Sequence, residues 1–408
     1  MNPSVRNSNV AIATTGLLVL AVLPGCAEPN DTADDEVRIE TLESGVVRIV
    51  NDPGDPDRAP EGWQVREVVR LGSGLTGHEA TQFGRIGGVV LDAEGSIYVL
   101  DWSIPVVRVF GPDGSHVRDL GGPGDGPGEF RSASGIVLAA DGRLYVTSRR
   151  YTAFNPDGSL AGTWQRVGGG GSPVVANDGV IYESILLGSA QDLLSRRRER
   201  LFVGVVVEGD AMQPLDTIRR PVEMVNGWFG STGNLRGLVP VPFSASRHDH
   251  VDPRGGFWTG VTDTLRFVLL SGEADTLRMV ERSATPRGVT SAEGAAAIEH
   301  LRRQFAEGVL EADPNDVPAH MPLWSSFFVD HTGRLWVERY VPPDEIVAGG
   351  ARQWEIYDPD GRYLGVVHLP IMNRPTPAVR GNRIAGVVRD ALDVEYVVVF
   401  ELGSGSAR

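Results

Sequence analysis

The chain has 408 residues with 51 glycines and 27 prolines, together about a fifth of the whole, so long uninterrupted helices are disfavoured and tight turns must be frequent. Charged residues at 22% and hydrophobic residues at 41% can build a core and argue against global disorder. The 53 acidic residues outnumber the 38 basic ones, all of them arginine, and the net charge of −15 argues against nucleic acid as a partner, because a phosphate backbone needs clustered positive charge. In chain order the first feature is an apolar run from Val10 to Val22, preceded by Arg6 and followed by Leu23-Pro24-Gly25-Cys26. A run of about a dozen apolar residues is too short to span a bilayer as a helix and has the size of a signal-peptide core.

The end of that run resembles a bacterial lipobox, in which a cysteine preceded by small residues is lipidated and becomes the new first residue. Cys26 is the only cysteine, so it has no disulfide partner within the chain. The alternative is an ordinary secretory signal with a chance cysteine. Residues Glu28 to Glu36 (EPNDTADDE) are polar and acidic, a composition that stays extended in water and suits a tether. Ala27 after the cysteine resembles the rule for export to an outer membrane. The expected organisation is a lipoprotein signal peptide over 1–25, a tether over 26–36 and a folded body over 37–408, lipid-anchored in the cell envelope outside the cytoplasm.

The body is repetitive. Six segments share an apolar strand, a tight turn with glycine and a second strand, usually with an aromatic: VVLDAEGSIYVLD ending at Asp101, IVLAADGRLYVTS ending at Ser148, PVVANDGVIYES ending at Ser184, HVDPRGGFWTGV from His250, FFVDHTGRLWVER from Phe327 and PAVRGNRIAGVV from Pro377. Further turns follow at Pro112-Asp113-Gly114, Pro156-Asp157-Gly158 and Pro359-Asp360-Gly361, where proline presets its φ and glycine accepts a positive one. Each unit therefore reads as four antiparallel strands, a to d, and such units repeated around an axis form an all-β propeller of six blades. The last unit runs out of chain after its third strand, and Val65 to Leu71 looks like the missing fourth, closing the ring with an N-terminal strand. The strands near Val37 to Ile49 have no evident place.

The run Leu120 to Phe130 (LGGPGDGPGEF), followed by an apolar strand, a turn and a second strand, is similar to the NHL repeat. More narrowly, the chain resembles bacterial six-bladed β-propeller lipoproteins related to NHL-repeat proteins, most sharply over Phe83 to Trp164 and again near Phe327 to Val367. Such propellers include binding scaffolds, sensor domains, lactonases and lyases, so the resemblance implies a fold and no single function.

The a–b and c–d turns are short almost throughout, whereas the long connections all belong to the opposite face: Ser184 to Arg200, Arg219 to Arg247, Ser283 to Pro322 and Arg339 to Arg352. Long loops on a rigid scaffold are where binding usually lives. The crossing after the fourth unit predicts one inserted helix near 290–308. Thr290 and Glu293 have capping-box spacing, Ile298, Leu301 and Phe305 recur at helical steps, and Gly308 is the stop; the apolar stripe is expected on the propeller face, as a lid or as packing.

The candidate ligand-binding residues are Arg247, His248 and His250 at the start of the fourth unit, His320 and Trp324 before the same position of the fifth, and Trp228 within a crossing. Alternation puts His248, His250 and Asp252 on one side of their strand, where imidazoles and a carboxylate could hold zinc or, less readily, calcium; Asp252 also aligns with the turn aspartates Asp92 and Asp330, whose role is capping. The cluster Arg196, Arg197, Arg198 and Arg200 could meet an anionic ligand or be a solvated basic run. No cofactor is required, and motifs such as G-x-S-x-G, H-E-x-x-H or a Walker loop are missing. The leading expectation is a scaffold that binds a protein or small-molecule ligand without chemistry of its own. The alternative is a lactonase-like hydrolase or a lyase with a metal at the channel mouth.

Overall fold

The structure is a computed structural model, and it describes residues 37–72, 81–167, 173–187, 195–208, 211–220, 222–232, 235–305 and 308–404. Cys26, the signal segment and the acidic tether lie outside the described residues, as does the middle of the 184–200 connection. The described chain is nearly all β, with one α-helix and no helix long and apolar enough to cross a membrane.

Six sheets of four or more strands follow one another along the chain, and each has the order a-b-c-d. Sheet one holds Ile86–Leu91, Ile97–Asp101, Val106–Phe110 and His116–Leu120. Sheet two holds Gly135–Leu138, Leu144–Thr147, Arg150–Phe154 and Leu160–Gln165. Sheet three holds Val174–Val175, Ile181–Leu187, Arg197–Glu208 and Ala211–Arg219. Sheet four holds Arg247–Val251, Phe257–Val261, Leu265–Leu270 and Thr276–Arg282. Sheet five holds Trp324–Val329, Leu335–Arg339, Arg352–Tyr357 and Tyr363–Leu369. Sheet six holds Ala378–Arg380, Arg383–Arg389 and Glu395–Ser404, and its fourth strand is Trp63–Leu71, antiparallel to Glu395–Ser404.

These are the sheets of a β-propeller. First strands lie alongside one another between sheets one and two, two and three, four and five, and six and one. Faces buried on both sides give strands with no polar alternation, as in Ile97–Asp101 and Val106–Phe110, where every residue is buried. Six apolar clusters fill the gaps between successive sheets. Phe267, Trp324 and Phe327 join four to five, Trp354 and Ile384 join five to six, and Val99 and Val397 join six to one. Phe110 belongs to that last cluster, Leu100 and Val146 join one to two, Tyr151 and Val205 join two to three, and Phe202 and Phe257 join three to four.

The hairpins repeat a second device. Asp92, Asp252, Asp330 and Asp390 each cap their own a–b or b–c turn and also accept a bond from the aromatic six residues on: Tyr98 at 3.2 Å, Trp258 at 2.9 Å, Trp336 at 3.0 Å and Tyr396 at 3.1 Å. Gly95 and Gly333 in these turns sit at φ +87° and +90°, where a side chain would be strained.

The N-terminal hairpin Val37–Thr41 and Val47–Asn51 finds its place on sheet four, because Val47–Asn51 runs parallel to Thr276–Arg282 and extends the sheet to six strands. An added hairpin covers what would otherwise be an outer edge with unpaired backbone groups. The helix forms as its capping box dictates, over Ser291–Gln304, with both reciprocal bonds between Thr290 and Glu293 present. Its stripe does not pack on a propeller sheet. Ile298 and Leu301 pack with Trp228, Val241, Leu310 and Val317, all from the two long crossings. Those crossings pair with each other in a three-stranded sheet of Leu235–Pro240, Gly227–Thr232 and Gly308–Leu310, so the stripe is satisfied by a small body of their own.

Candidate functional site

The a strand of sheet four separates its side chains by parity. His248 and His250 face sheet five: the His248 ring lies 5.3 Å from Trp324, and the His250 ring lies 6.4 Å from Phe327. Val251 faces sheet three, in the cluster with Phe202 and Ile218. Arg247 and Asp249 share Val251's parity and line a narrow hollow of about 10 Å³, open to solvent, together with Leu186, Arg198, Arg200, Arg220 and Glu223.

Each lining residue is placed by a regular element. Leu186 is the last residue but one of strand b of sheet three and is half-exposed. Arg198 and Arg200, two apart on strand c, share a face, and Arg198 pairs with Glu223 through the backbone bridge of Glu223–Met224 to Arg197–Arg198. The arginine run is therefore strand from Arg197 onward, and only Arg196 sits in the turn, at φ +58° with its guanidinium 6.0 Å from the Phe229 ring. Glu223 accepts the backbone N–H of Arg247 at 3.1 Å, tying the crossing to sheet four.

Arg220 is the deepest of the group. It directly follows the outer strand of sheet three, and its side chain is 3% exposed and ion-paired to Asp249, itself 7% exposed. It donates to Thr259 Oγ1 at 3.1 Å and lies over Phe202 and Phe257, at 5.8 and 5.5 Å. Burial, with the neighbouring Arg247 and Arg200 cations, pulls the guanidinium down to about 9, so at neutral pH it remains charged in a crowded cationic environment. Arg220 Nε, Asp249 Oδ1 and Arg198 Nε are buried and have no hydrogen-bond partner among the described residues. Arg200 donates to the Ser184 hydroxyl at 3.0 Å. The same position recurs elsewhere. Arg166 after sheet two reaches Glu183 of sheet three over the Tyr151 ring, and Arg282 at the end of sheet four reaches Glu355 of sheet five over the Tyr363 ring.

The structure brings His248 and Trp324 together but makes them part of the packing. Trp324 is fully buried and donates its indole N–H to the Thr264 carbonyl at 2.8 Å, and Trp228 is 1% exposed and donates to Asp316 at 2.8 Å. Neither ring faces solvent. His248 Nε2 lies 3.1 Å from Ser246 Oγ, and burial, then Arg374 and Arg200, holds the imidazole down at about 4. His250 donates Nδ1–H to the Val251 carbonyl at 2.9 Å, and burial lowers it as well. Both are neutral at pH 7. His320 is exposed and pairs through its backbone with Gly288. Asp252 is occupied by Arg254 and the Trp258 N–H, as a turn cap would be. Among the described residues no three histidine, cysteine, aspartate or glutamate side chains stand close enough to share a metal ion.

Of the six candidates, Arg247 alone lines the hollow. Arg200, Arg220, Glu223 and Asp249 complete it without having been singled out together. The available signal was the arginine closing the outer strand of sheets two, three and four, at Arg166, Arg220 and Arg282, together with the odd parity of Arg247 and Asp249.

No protein-family model matches this sequence, and no curated protein does. Among solved structures, the chain is similar to a Bacteroides fragilis protein thought to be exported, at 12% identity and TM-score 0.44, over 83% of this chain and 95% of that one. It is also similar to a DUF4221 member from Bacteroides vulgatus, at 11% identity and TM-score 0.45, over 85% and 100%. Virginiamycin B lyase from Staphylococcus aureus follows at 9% identity and TM-score 0.36, over 83% and 99%. At such identities and scores no activity carries over to this chain.

Proposed function

We propose that this chain is a six-bladed propeller lipoprotein, related in its repeats to NHL proteins, that binds a small ligand in the hollow between sheets three and four. The ring reading is supported by Trp63–Leu71 lying against the last strand and by apolar clusters linking every successive pair of sheets, sixth to first included. Cys26 after the apolar leader supports a lipid anchor in the cell envelope, with the acidic segment as tether. The observation that carries the binding reading is the hollow itself. It lies where the arginine-bearing hairpin of sheet three and the first long crossing meet the a strand of sheet four, and it gathers four arginines and two carboxylates at one place.

Binding without chemistry is the reading the geometry supports best. Among the described residues the hollow is lined by four guanidiniums, two carboxylates that contact arginines, and Leu186. The test is native mass spectrometry of the full-length lipoprotein extracted gently from its own membranes. The expected result is a co-purified small molecule that is lost from Arg247→Glu. A mass equal to the lipidated chain alone, together with no melting shift across a broad metabolite panel, would overturn the binding reading.

A further inference from the structure

The apolar side chains left in water are sorted between the two ends of the sheets. In each sheet the a–b and c–d turns lie at one end, and the b–c turn and the crossing to the next sheet lie at the other. Among the described residues no exposed large apolar side chain falls in an a–b or c–d turn. The turn end carries exposed carboxylates instead, at Asp113, Asp141, Asp157 and Asp360. The crossing end carries Trp102 and Ile104 in sheet one, Met224 and Val309 in the long crossings, Val347 in sheet five and Leu392 in sheet six. Val347 is 72% exposed and Leu392 83%, which leaves these two tips in water. Glu345 and Asp393 beside them are each paired with an arginine, both at 3.1 Å, so the tips are apolar and locally neutral. The exposed large apolar side chains away from this end lie along outer strands, as Val117 and Leu215 do. Scattered single ones are ordinary, but a set confined to one end and spread over several sheets marks a surface that something covers.

The N-terminal hairpin indicates what covers it. Val37 pairs with Asn51, and Asn51 lies level with Arg282, where the outer strand of sheet four leaves for its crossing. The described chain therefore enters the propeller from the crossing end. Cys26 stands eleven residues before Val37, a covalent reach of at most about 40 Å. We propose that the crossing end rests on the lipid bilayer that holds the anchor, with Trp102, Val347 and Leu392 entering the boundary between headgroups and acyl chains. This orientation rests on the reading of Cys26 as lipidated and adds the surface on which the anchored body lies. An anchor holds the body at high effective concentration beside the bilayer, so contacts too weak to retain a free chain still set its orientation. Trp102, with the Arg85 guanidinium 5.8 Å from its ring, suits a boundary where an indole keeps one side apolar and the other wet.

The experiment places the full-length lipoprotein, extracted from its own membranes, in phosphatidylcholine vesicles whose acyl chains are either plain or brominated. Bromine quenches an indole only on contact, and Trp102 is the one exposed indole among the described residues. The expected result is a loss of emission in brominated vesicles no larger than the share of one indole among the eight, and no loss in Trp102→Phe. The double variant Val347→Asp, Leu392→Asp should roughly halve the quenching, because a carboxylate resists leaving water, and its melting temperature should not move, because both positions are exposed. Unchanged emission from a chain that floats with brominated vesicles would overturn the orientation and leave the anchor standing. Quenching that survives Trp102→Phe, or that the double variant leaves unchanged, would place the contact elsewhere and overturn it too. Two lipidated chains per particle in detergent, with no quenching in vesicles, would give this surface to a second copy. If the chain does not float with the vesicles at all, the anchor and the orientation both fall.

Discussion

Replacing Asp330 by alanine tests the hairpin device on which the fold repeats. The carboxylate is 3% exposed and does three things at once. It accepts the Trp336 indole N–H at 3.0 Å, the Thr332 and Arg334 amides at 2.8 and 3.1 Å, and the ion pair from Arg334. Trp336 is fully buried, so its N–H cannot turn to water, and stranding it costs about 1–3 kcal/mol. The turn amides recover solvent in part, so their loss and that of the partly exposed ion pair add on the order of 1 kcal/mol. The expected destabilisation of Asp330→Ala is therefore about 3 kcal/mol. Urea unfolding followed by tryptophan fluorescence reads this as a lowered midpoint at unchanged slope. A loss within about 0.5 kcal/mol of wild type would refute the reasoning.

Other outcomes follow from the same structure. His248 is held neutral, at about 4 against an ordinary 6.5, so the unfolded chain binds the extra proton between those values and stability falls as pH drops through that window. His248→Asn should flatten the acid limb of a pH-stability curve between pH 6.5 and 4, and an unchanged slope would contradict the burial argument. Thr290→Ala removes one half of the helix capping box and should cost about 1 kcal/mol, read as a lowered urea midpoint, and an unchanged midpoint would contradict the cap. Cys26→Ala should abolish metabolic labelling with palmitate and release the chain from membranes, and a labelled variant would refute the anchor.

Most of the architecture was legible because the repeat is written in short-range chemistry. Glycine turns, the strand pairs around them and the strand at Trp63–Leu71 all follow from local pattern and from the last unit lacking a strand. The helix was legible to its cap, since Thr290 and Glu293 specify each other. What packs on the helix was not, because it required the two crossings to pair as one sheet, Gly230 with Leu310 and Thr232 with Gly308, 80 and 76 residues apart. The place of Val47–Asn51 was hidden for a similar reason: a parallel edge strand leaves no mark in its partner's sequence. At the site, period-two alternation was legible, but the histidine parity belongs to the face that packs on sheet five. The other parity, Arg247 and Asp249, matters because of Arg200 and Arg220, which only the neighbouring sheet supplies.

The central claim is that the surface where sheet three and the first long crossing meet sheet four binds a small ligand. It is tested most directly by native mass spectrometry of the chain extracted gently from its own membranes. The account predicts a bound small molecule on the wild-type chain that is lost from Arg247→Glu. A wild-type mass equal to the lipidated chain alone, or a bound molecule that survives that substitution unchanged, would contradict it.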